Sequence, residues 1–286
     1  VHIDLKKMKK IKNVILVTHS NYLKNREIKK LCSFLSRESI ALSIVPIDKS
    51  YENIDNAIKK SNLMIVFGGD GLFLTGAKLA YKFSTPILGV NYGRTGFLVD
   101  VDKREVVKKI KDILLGKFVL DKRLLINGVV TNLDSQKISS HALNDIVIHN
   151  FGLLKMIEVK IFINDYLINT ERSDGIIIAT PTGSTGYSMS NGCPIVSPNS
   201  NVISIVPVAP HTYSHRPIII NSNDKIKITI SKKSIKHTLI TFDGHSNLSV
   251  KNPYAVEIKK SNKYLEIVHP IDYNYFKILN KKLKWG

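Results

Sequence analysis

Three short runs early in the chain contain no polar side chain: Val14-Ile15-Leu16-Val17, Leu63-Met64-Ile65-Val66-Phe67 and Pro86-Ile87-Leu88-Gly89-Val90. Strands of this kind must be covered on both faces, which means the interior of a parallel sheet. The stretches between them alternate accordingly. Ile28, Leu31, Cys32 and Leu35 recur at helical spacing, Ile40 to Val45 reads as a strand and Ile54 to Lys60 as a short helix. Leu72 to Tyr81 reads as a helix, and Val106, Val107, Ile110, Ile113 and Leu114 mark another, which Gly116 ends. Strand–helix alternation with apolar strands predicts a doubly wound, Rossmann-like α/β domain.

Near Phe118 the pattern changes. Ile157, Val159, Ile161 and Ile163 alternate with other side chains and run into Asn164-Asp165, a turn signal. Ile226, Ile228 and Ile230 repeat the alternation, as do Tyr254, Val256 and Ile258, with turn-rich pieces at 221–224 and at Asp243-Gly244. An all-β second domain follows, an antiparallel sandwich. The expected division is an α/β domain over 1–117, a β-rich domain over 118–262, and a basic tail over 263–286 packing back on the first domain. A chain of 286 residues can bury cores for two domains.

Composition narrows the class. With 43% hydrophobic and 23% charged residues the chain reads as globular, and no apolar run approaches the roughly 18 residues of a membrane span. Val1 to Lys12 is basic without an apolar core, so no secretory signal is expected there and a cytoplasmic location is. Two cysteines far apart, Cys32 and Cys193, are expected to be reduced thiols. The net charge of +19 comes from lysines scattered over the whole chain, with no dense basic stripe interleaved with aromatics. No nucleic-acid or membrane partner is therefore expected, although the charge favours anionic nucleotides in general.

Two segments carry chemistry. The strand at 63–67 runs directly into Gly68-Gly69-Asp70-Gly71, a turn whose backbone N–H groups an anion can approach and whose carboxylate reaches the same ligand. Downstream, the apolar run Gly175 to Ala179 leads into Thr180-Pro181-Thr182-Gly183-Ser184-Thr185-Gly186-Tyr187-Ser188. Better-known patterns fail. Lys78 stands one position late for a P-loop, and Leu74 stands where a dinucleotide fingerprint needs glycine. Gly183 to Gly186 is one residue short of a nucleophile elbow, and no metal-ligand spacing occurs, so no dedicated metal site is expected.

Four stations together resemble the NAD kinase family: Gly68–Gly71, Gly93 to Leu98, Ala142-Leu143-Asn144-Asp145, and Arg172-Ser173-Asp174-Gly175 leading into Thr180–Ser188. The resemblance runs from the first strand to Asp243-Gly244. The Gly-Gly-Asp-Gly element is shared with lipid kinases and phosphofructokinases, and the hydroxyl-rich loop is the specific one. The resemblance implies phosphoryl transfer from ATP, or from inorganic polyphosphate, to the 2′-hydroxyl of the adenosine ribose of NAD, with a divalent ion such as Mg²⁺. It also implies a homodimer or homotetramer. A lipid kinase of related architecture and a non-catalytic nucleotide binder are the alternatives.

By that resemblance Asp70 is the proton acceptor, with Gly68, Gly69 and Gly71 at a phosphate. A carboxylate is a weak base for a sugar hydroxyl, so Asp70 is expected to orient the hydroxyl and take its proton late. Asp70, Gly71, Asn144, Asp145, Asp174, Thr185, Gly186, Tyr187 and Ser188 are expected to hold NAD. Arg94, Lys155, Arg172 and His245 stand at further matching positions. Read without the family, a bulge or turn is the plain alternative for Asn144-Asp145, and a solvated loop is the weaker reading of the Thr180–Ser188 stretch. Three residues depart from the family pattern: Leu72 stands for threonine, Asp145 for glutamate and Gly186 for alanine.

Overall fold

The computed structural model describes residues 11–48, 54–93, 96–151, 155–212 and 214–285, the side chains of 245–249 excepted. The chain forms two compact units. One comprises the residues up to Lys122 together with those from Leu265 on, the other Arg123–Tyr264.

The first unit is the α/β domain. Strands β1 (Asn13–Thr18), β2 (Ala41–Pro46), β3 (Leu63–Gly68) and β4 (Ile87–Asn91) lie parallel in the order β2-β1-β3-β4, with Val14 opposite Leu63 and Met64 opposite Ile87. A two-residue strand β5 (Val101–Asp102) joins β4, and Ile267 pairs with Ile87 on a returning segment. Helix α1 (Arg26–Arg37) starts at Asn25, whose side chain accepts from the Glu27 N–H, and buries Ile28, Leu31 and Leu35. Helix α2 (Ile54–Lys60) buries Ile58. Helix α4 (Val106–Leu114) buries Val106, Ile110 and Ile113, and Gly116 at φ +80° stops it as a left-handed glycine does. The chain closes with helix α5 (Tyr275–Leu283).

Helix α3 (Asp70–Phe83) begins two residues earlier than the sequence pattern indicates. Gly69 is its extended N-cap and Asp70 its first residue, so half of the expected Gly68–Gly71 turn is helix. The reason is local. An acidic side chain in the first turn complements the helix dipole, and Gly71 there has no side chain to obstruct the start. Gly76 lets α3 lie directly on the sheet, since a Cβ there would come within 2.6 Å of Val66 Cγ2.

The second unit is a sandwich of antiparallel strands. Long strand β6 (Phe118–Asn132) pairs with β7 (Lys137–Ala142). One sheet carries β9 (Ile157–Ile163), β10 (Tyr166–Ser173), β14 (Ile226–Ile230) and the first part of β17 (Pro253–Pro270) in the order β10-β9-β14-β17. The other runs β13-β12-β11-β8-β15-β16, from β8 (Asp145–Asn150), β11 (Gly175–Ala179), β12 (Val202–Val208), β13 (Ile218–Asn221), β15 (Thr238–Phe242) and β16 (His245–Lys251). Alternate residues of both face a common core: Ile157, Val159, Ile226 and Ile228 meet Ile146, Ile148, Ile176 and Ile178. Asn164-Asp165, at φ +50° and +68°, is a tight hairpin turn, and Asp243-Gly244, at +51° and +66°, is another. The other faces of β8 and β15 are left to the site.

Candidate functional site

In the first unit, β3 delivers the chain to the start of α3. The first N–H groups of a helix have no intrahelical acceptor, which here leaves those of Asp70, Gly71 and Leu72 for an incoming anion. Gly69 and Gly71 are exposed, and a Cβ on either would meet nothing within 4 Å, so the approach is open. The Leu72 side chain is buried and takes no part in this. Its side chain lies across Gly68, where a Cβ would come within 2.5 Å of Leu72 Cδ2. An apolar residue in place of the family's threonine thus serves packing.

The half-buried Asp70 carboxylate is itself occupied. Oδ2 accepts from the Phe97 N–H at 2.9 Å and Oδ1 from the Leu98 N–H at 3.0 Å. Gly96 makes this possible, because a Cβ on it would lie 1.9 Å from Asp70 Oδ1. Each carboxylate oxygen keeps a second lone pair, so the group is oriented without being exhausted.

In the second unit a cavity of about 810 Å³ opens on the outer face of β8 and β15. Four of the sequence-predicted residues line it: Asn144, Asp145, Asp174 and Tyr187. They share it with Asp243, Gly244, Val147, His149, Leu239 and Thr241, among others. Strand alternation explains the set, since Asp145, Val147 and His149 point to one side of β8 while Ile146 and Ile148 point to the core. That period was readable from the sequence, although neither His149 nor Leu239 stood out in it.

Asp243 is the residue that sequence reasoning most undervalued, reading it only as a turn. Its buried carboxylate accepts from three successive backbone N–H groups: Leu143 at 3.0 Å, Asn144 at 2.7 Å and Asp145 at 3.2 Å. It thereby fixes the Asn144-Asp145 step at the cavity wall. Asp145 is buried too, and burial first, then the Asp243 charge, push its carboxyl up to about 7. Its protonated form, populated near neutral pH, is both a hydrogen-bond donor and an acceptor. The buried Oδ1 of Asn144 has no hydrogen-bond partner among the described residues. Beside a roomy cavity, an acceptor in that state suits a ligand hydroxyl.

The hydroxyl-rich loop is brought to the same wall. The Thr180 N–H donates to the Asn144 carbonyl at 2.9 Å, and a Cβ on Gly183 would sit 2.1 Å from that oxygen. Most of the loop's hydroxyls are spent internally. Ser184 Oγ donates to the Pro181 carbonyl at 2.7 Å and accepts from the Val196 N–H at 2.9 Å, while Ser188 Oγ donates to the Gly183 carbonyl at 2.8 Å. This is a folded, largely buried turn and not a solvated loop. Thr185, Gly186 and Ser188 lie outside the cavity lining. A Cβ on Gly186 would lie 3.5 Å from Asn144 Nδ2 and 3.2 Å from the Gly183 carbonyl, so the missing methyl leaves the Asn144 side chain a little more room. Arg172 and Lys155 are exposed and also lie outside the lining. Arg94 falls outside the described residues, as does the side chain of His245.

The comparisons with known proteins agree over both units. The family model for the ATP-NAD kinase N-terminal domain matches residues 6–118, and that for the ATP-NAD kinase C-terminal domain matches residues 143–270. An NAD kinase of Wigglesworthia glossinidia brevipalpis is 40% identical over 274 residues, 93% of this chain and 90% of that protein. An NAD kinase of Coxiella burnetii is 43% identical over 227 residues, 79% of this chain and 76% of the relative. Among solved structures, yeast NADH kinase complexed with NADH has the same fold, with a TM-score of 0.84 at 21% identity over 97% of this chain and 89% of that one. An Archaeoglobus fulgidus NAD kinase in complex with ATP has a TM-score of 0.76 at 23% identity over 95% and 98%. The lipid-kinase alternative is not favoured by these matches. With both units matched and close relatives spanning nearly all of its length, the chain belongs to the NAD kinase family, phosphotransferases whose acceptor is an alcohol group.

Proposed function

We propose that the enzyme transfers the terminal phosphoryl group of ATP to the 2′-hydroxyl of the adenosine ribose of NAD, releasing ADP and NADP. The observation that carries this reading is the polar end of the cavity. There a buried amide oxygen without a partner and a carboxyl group titrating near neutrality stand on consecutive residues, Asn144 and Asp145. Neighbouring groups of this kind match a vicinal diol, which offers two adjacent donors that are also acceptors. Asp174 adds a further acceptor, and the half-exposed Tyr187 ring offers a face on which a purine can stack. The apolar floor of Val147 and Leu239 suits the rest of a dinucleotide.

Phosphoryl transfer through a loose transition state asks the protein to position groups and to meet charge. In this reading the N–H groups at the start of α3 meet the donor's phosphates, and Asp70 orients the acceptor hydroxyl. As the oxygen–phosphorus bond forms and the bond to ADP breaks, Asp70 takes the proton from the hydroxyl. A divalent ion such as Mg²⁺ supplies charge neutralisation on the donor. The ion is read as arriving with the donor's phosphates. Inorganic polyphosphate is the second donor to try. No helix among the described residues is long and apolar enough to cross a membrane. A cytoplasmic homo-oligomer is the assembly proposed, by analogy with the family.

The decisive measurement is NADP formed from NAD and ATP by the wild type and by Asp70→Asn. The wild type is expected to form NADP, and loss of the carboxylate to slow it by about 10²- to 10⁴-fold, the usual worth of a general base. Equal rates would remove Asp70 from the chemistry. No NADP from the wild type with either donor would overturn the reading.

A further inference from the structure

The backbone that holds Asp70 is itself held from behind. Leu98 presses on β4 so closely that a Cβ on Gly89 would come within 2.6 Å of its carbonyl oxygen. Two residues further on, the Asp100 carboxylate places Oδ2 2.9 Å from Nδ1 of His269. The imidazole of His269 is fully buried, its Nε2 lies 3.7 Å from Oδ2 of Asp121, and Tyr273 stacks flat on it with ring centroids 3.7 Å apart. Taking a histidine and two aspartates out of water costs free energy, and three packed apolar side chains would hold these segments together without that cost. What the polar cluster adds is direction. A hydrogen bond from Nδ1 fixes where Asp100 sits, and Asp100 ends the short span that begins with Gly96. Gly96 turns back on Val99 through an N–H to carbonyl bond of 3.2 Å, which ties the start of the span to its end.

We infer that His269 is a positioning residue for Asp70: through Asp100 it sets the loop whose Phe97 and Leu98 N–H groups aim the Asp70 carboxylate. The inference rests on the reading of Asp70 as the proton acceptor. The chain of contacts is short and uninterrupted. It passes from the His269 ring to the Asp100 carboxylate, along two peptide units to Leu98, and by two hydrogen bonds to Asp70. A shift of Asp100 is therefore a shift of the donors, and with them of the carboxylate that must meet the acceptor oxygen. A further contact to this loop from the last helix is Lys282, whose ammonium lies 5.6 Å from the centroid of Phe97. That contact touches a side chain and leaves the two N–H groups undirected.

Steady-state kinetics and thermal unfolding of His269→Asn, His269→Gln and His269→Ala test this. Asparagine puts an amide N–H where Nδ1 stands and keeps a donor for Asp100. Glutamine puts its donor near Nε2, toward Asp121. The Asn variant is expected to retain most of kcat. The Gln and Ala variants should lose about 10- to 100-fold, the cost of displacing a reacting group by about 1 Å, with KM for NAD unchanged. A space-filling role predicts that the larger glutamine is the better substitute in thermal stability, with kcat per folded molecule constant throughout. That result would overturn the inference. Asp100→Leu nearly keeps the shape while removing the acceptor for Nδ1, so it serves if the His269 variants fold poorly. The same kcat loss is expected there, and an unchanged kcat would refute the proposal. Asp70→Asn separates the two layers: wild-type turnover in that variant defeats the Asp70 reading, whereas a slow Asp70→Asn beside a fast His269→Ala defeats the His269 inference alone.

Discussion

Asp70 and Asp243 solve the same problem in different units and with opposite outcomes. Each is an aspartate beside a glycine, and each holds a remote stretch of backbone by accepting its N–H groups. Asp70 takes two, from Phe97 and Leu98, and stays half-buried at the open start of a helix. Asp243 takes three, from Leu143, Asn144 and Asp145, and is buried at φ +51° in a hairpin turn. Three donors and burial commit a carboxylate to structure. Two donors and an open side leave it lone pairs for a reaction. The difference teaches that an aspartate is read by what surrounds it. The dipeptide Asp-Gly occurs at both places and says nothing of which is which.

The comparison predicts that substitution at Asp243 shows chiefly in stability and substitution around Asp70 chiefly in rate. Asp243→Ala strands three backbone donors and is expected to cost about 3–5 kcal/mol in urea unfolding. A loss below about 1 kcal/mol would mean that the carboxylate is not the pin described here. Gly96→Ala attacks the other side. Its methyl would overlap Asp70 Oδ1, so either the loop or the carboxylate must move. Turnover should fall by about 10- to 100-fold, with a stability loss of only about 1–2 kcal/mol. Wild-type turnover in that variant would show that the Gly96–Leu98 loop does not aim Asp70.

The smallest effect sharpens the electrostatic side. Asp145 titrates near 7 in the folded protein, above the ordinary 3.8, so the folded state holds a proton that the unfolded chain has released. Such a group lowers stability as pH rises from about 4 to about 7, and the loss is complete above that. Asp145→Asn does not titrate, so its stability relative to wild type should rise by about 1 kcal/mol between pH 6 and 8, measured by denaturation without nucleotide. A flat difference would show that Asp145 is ionised through this range and that Asp243 leaves it unperturbed.

Much of the architecture was legible because it rests on local periodicity. The apolar runs at 14–17, 63–67 and 86–90 became central parallel strands, and the alternation at 157–163 became a strand with one face in the core. The misjudged start of α3 shows the limit. Glycines mark a place where the backbone is free to turn, and only the packed helix decides that Asp70 already belongs to it. The hydroxyl-rich loop shows another. Its composition marks a hydroxyl-rich turn after a core strand, and only the fold decides that its serines bond inward to the loop's own carbonyls.

The amino-acid order by itself determined the two fold classes and the placing of Gly-Gly-Asp-Gly after a buried strand. Those follow from side-chain polarity at fixed spacing, which acts along the chain. Only the tertiary structure decided that Asp243 would hold Asn144 and Asp145 about a hundred residues upstream, and that His269 would meet Asp100 across the first unit. Contacts of that separation depend on where strands are seated in a sheet. No local preference encodes that, because it is fixed by the burial of the whole core.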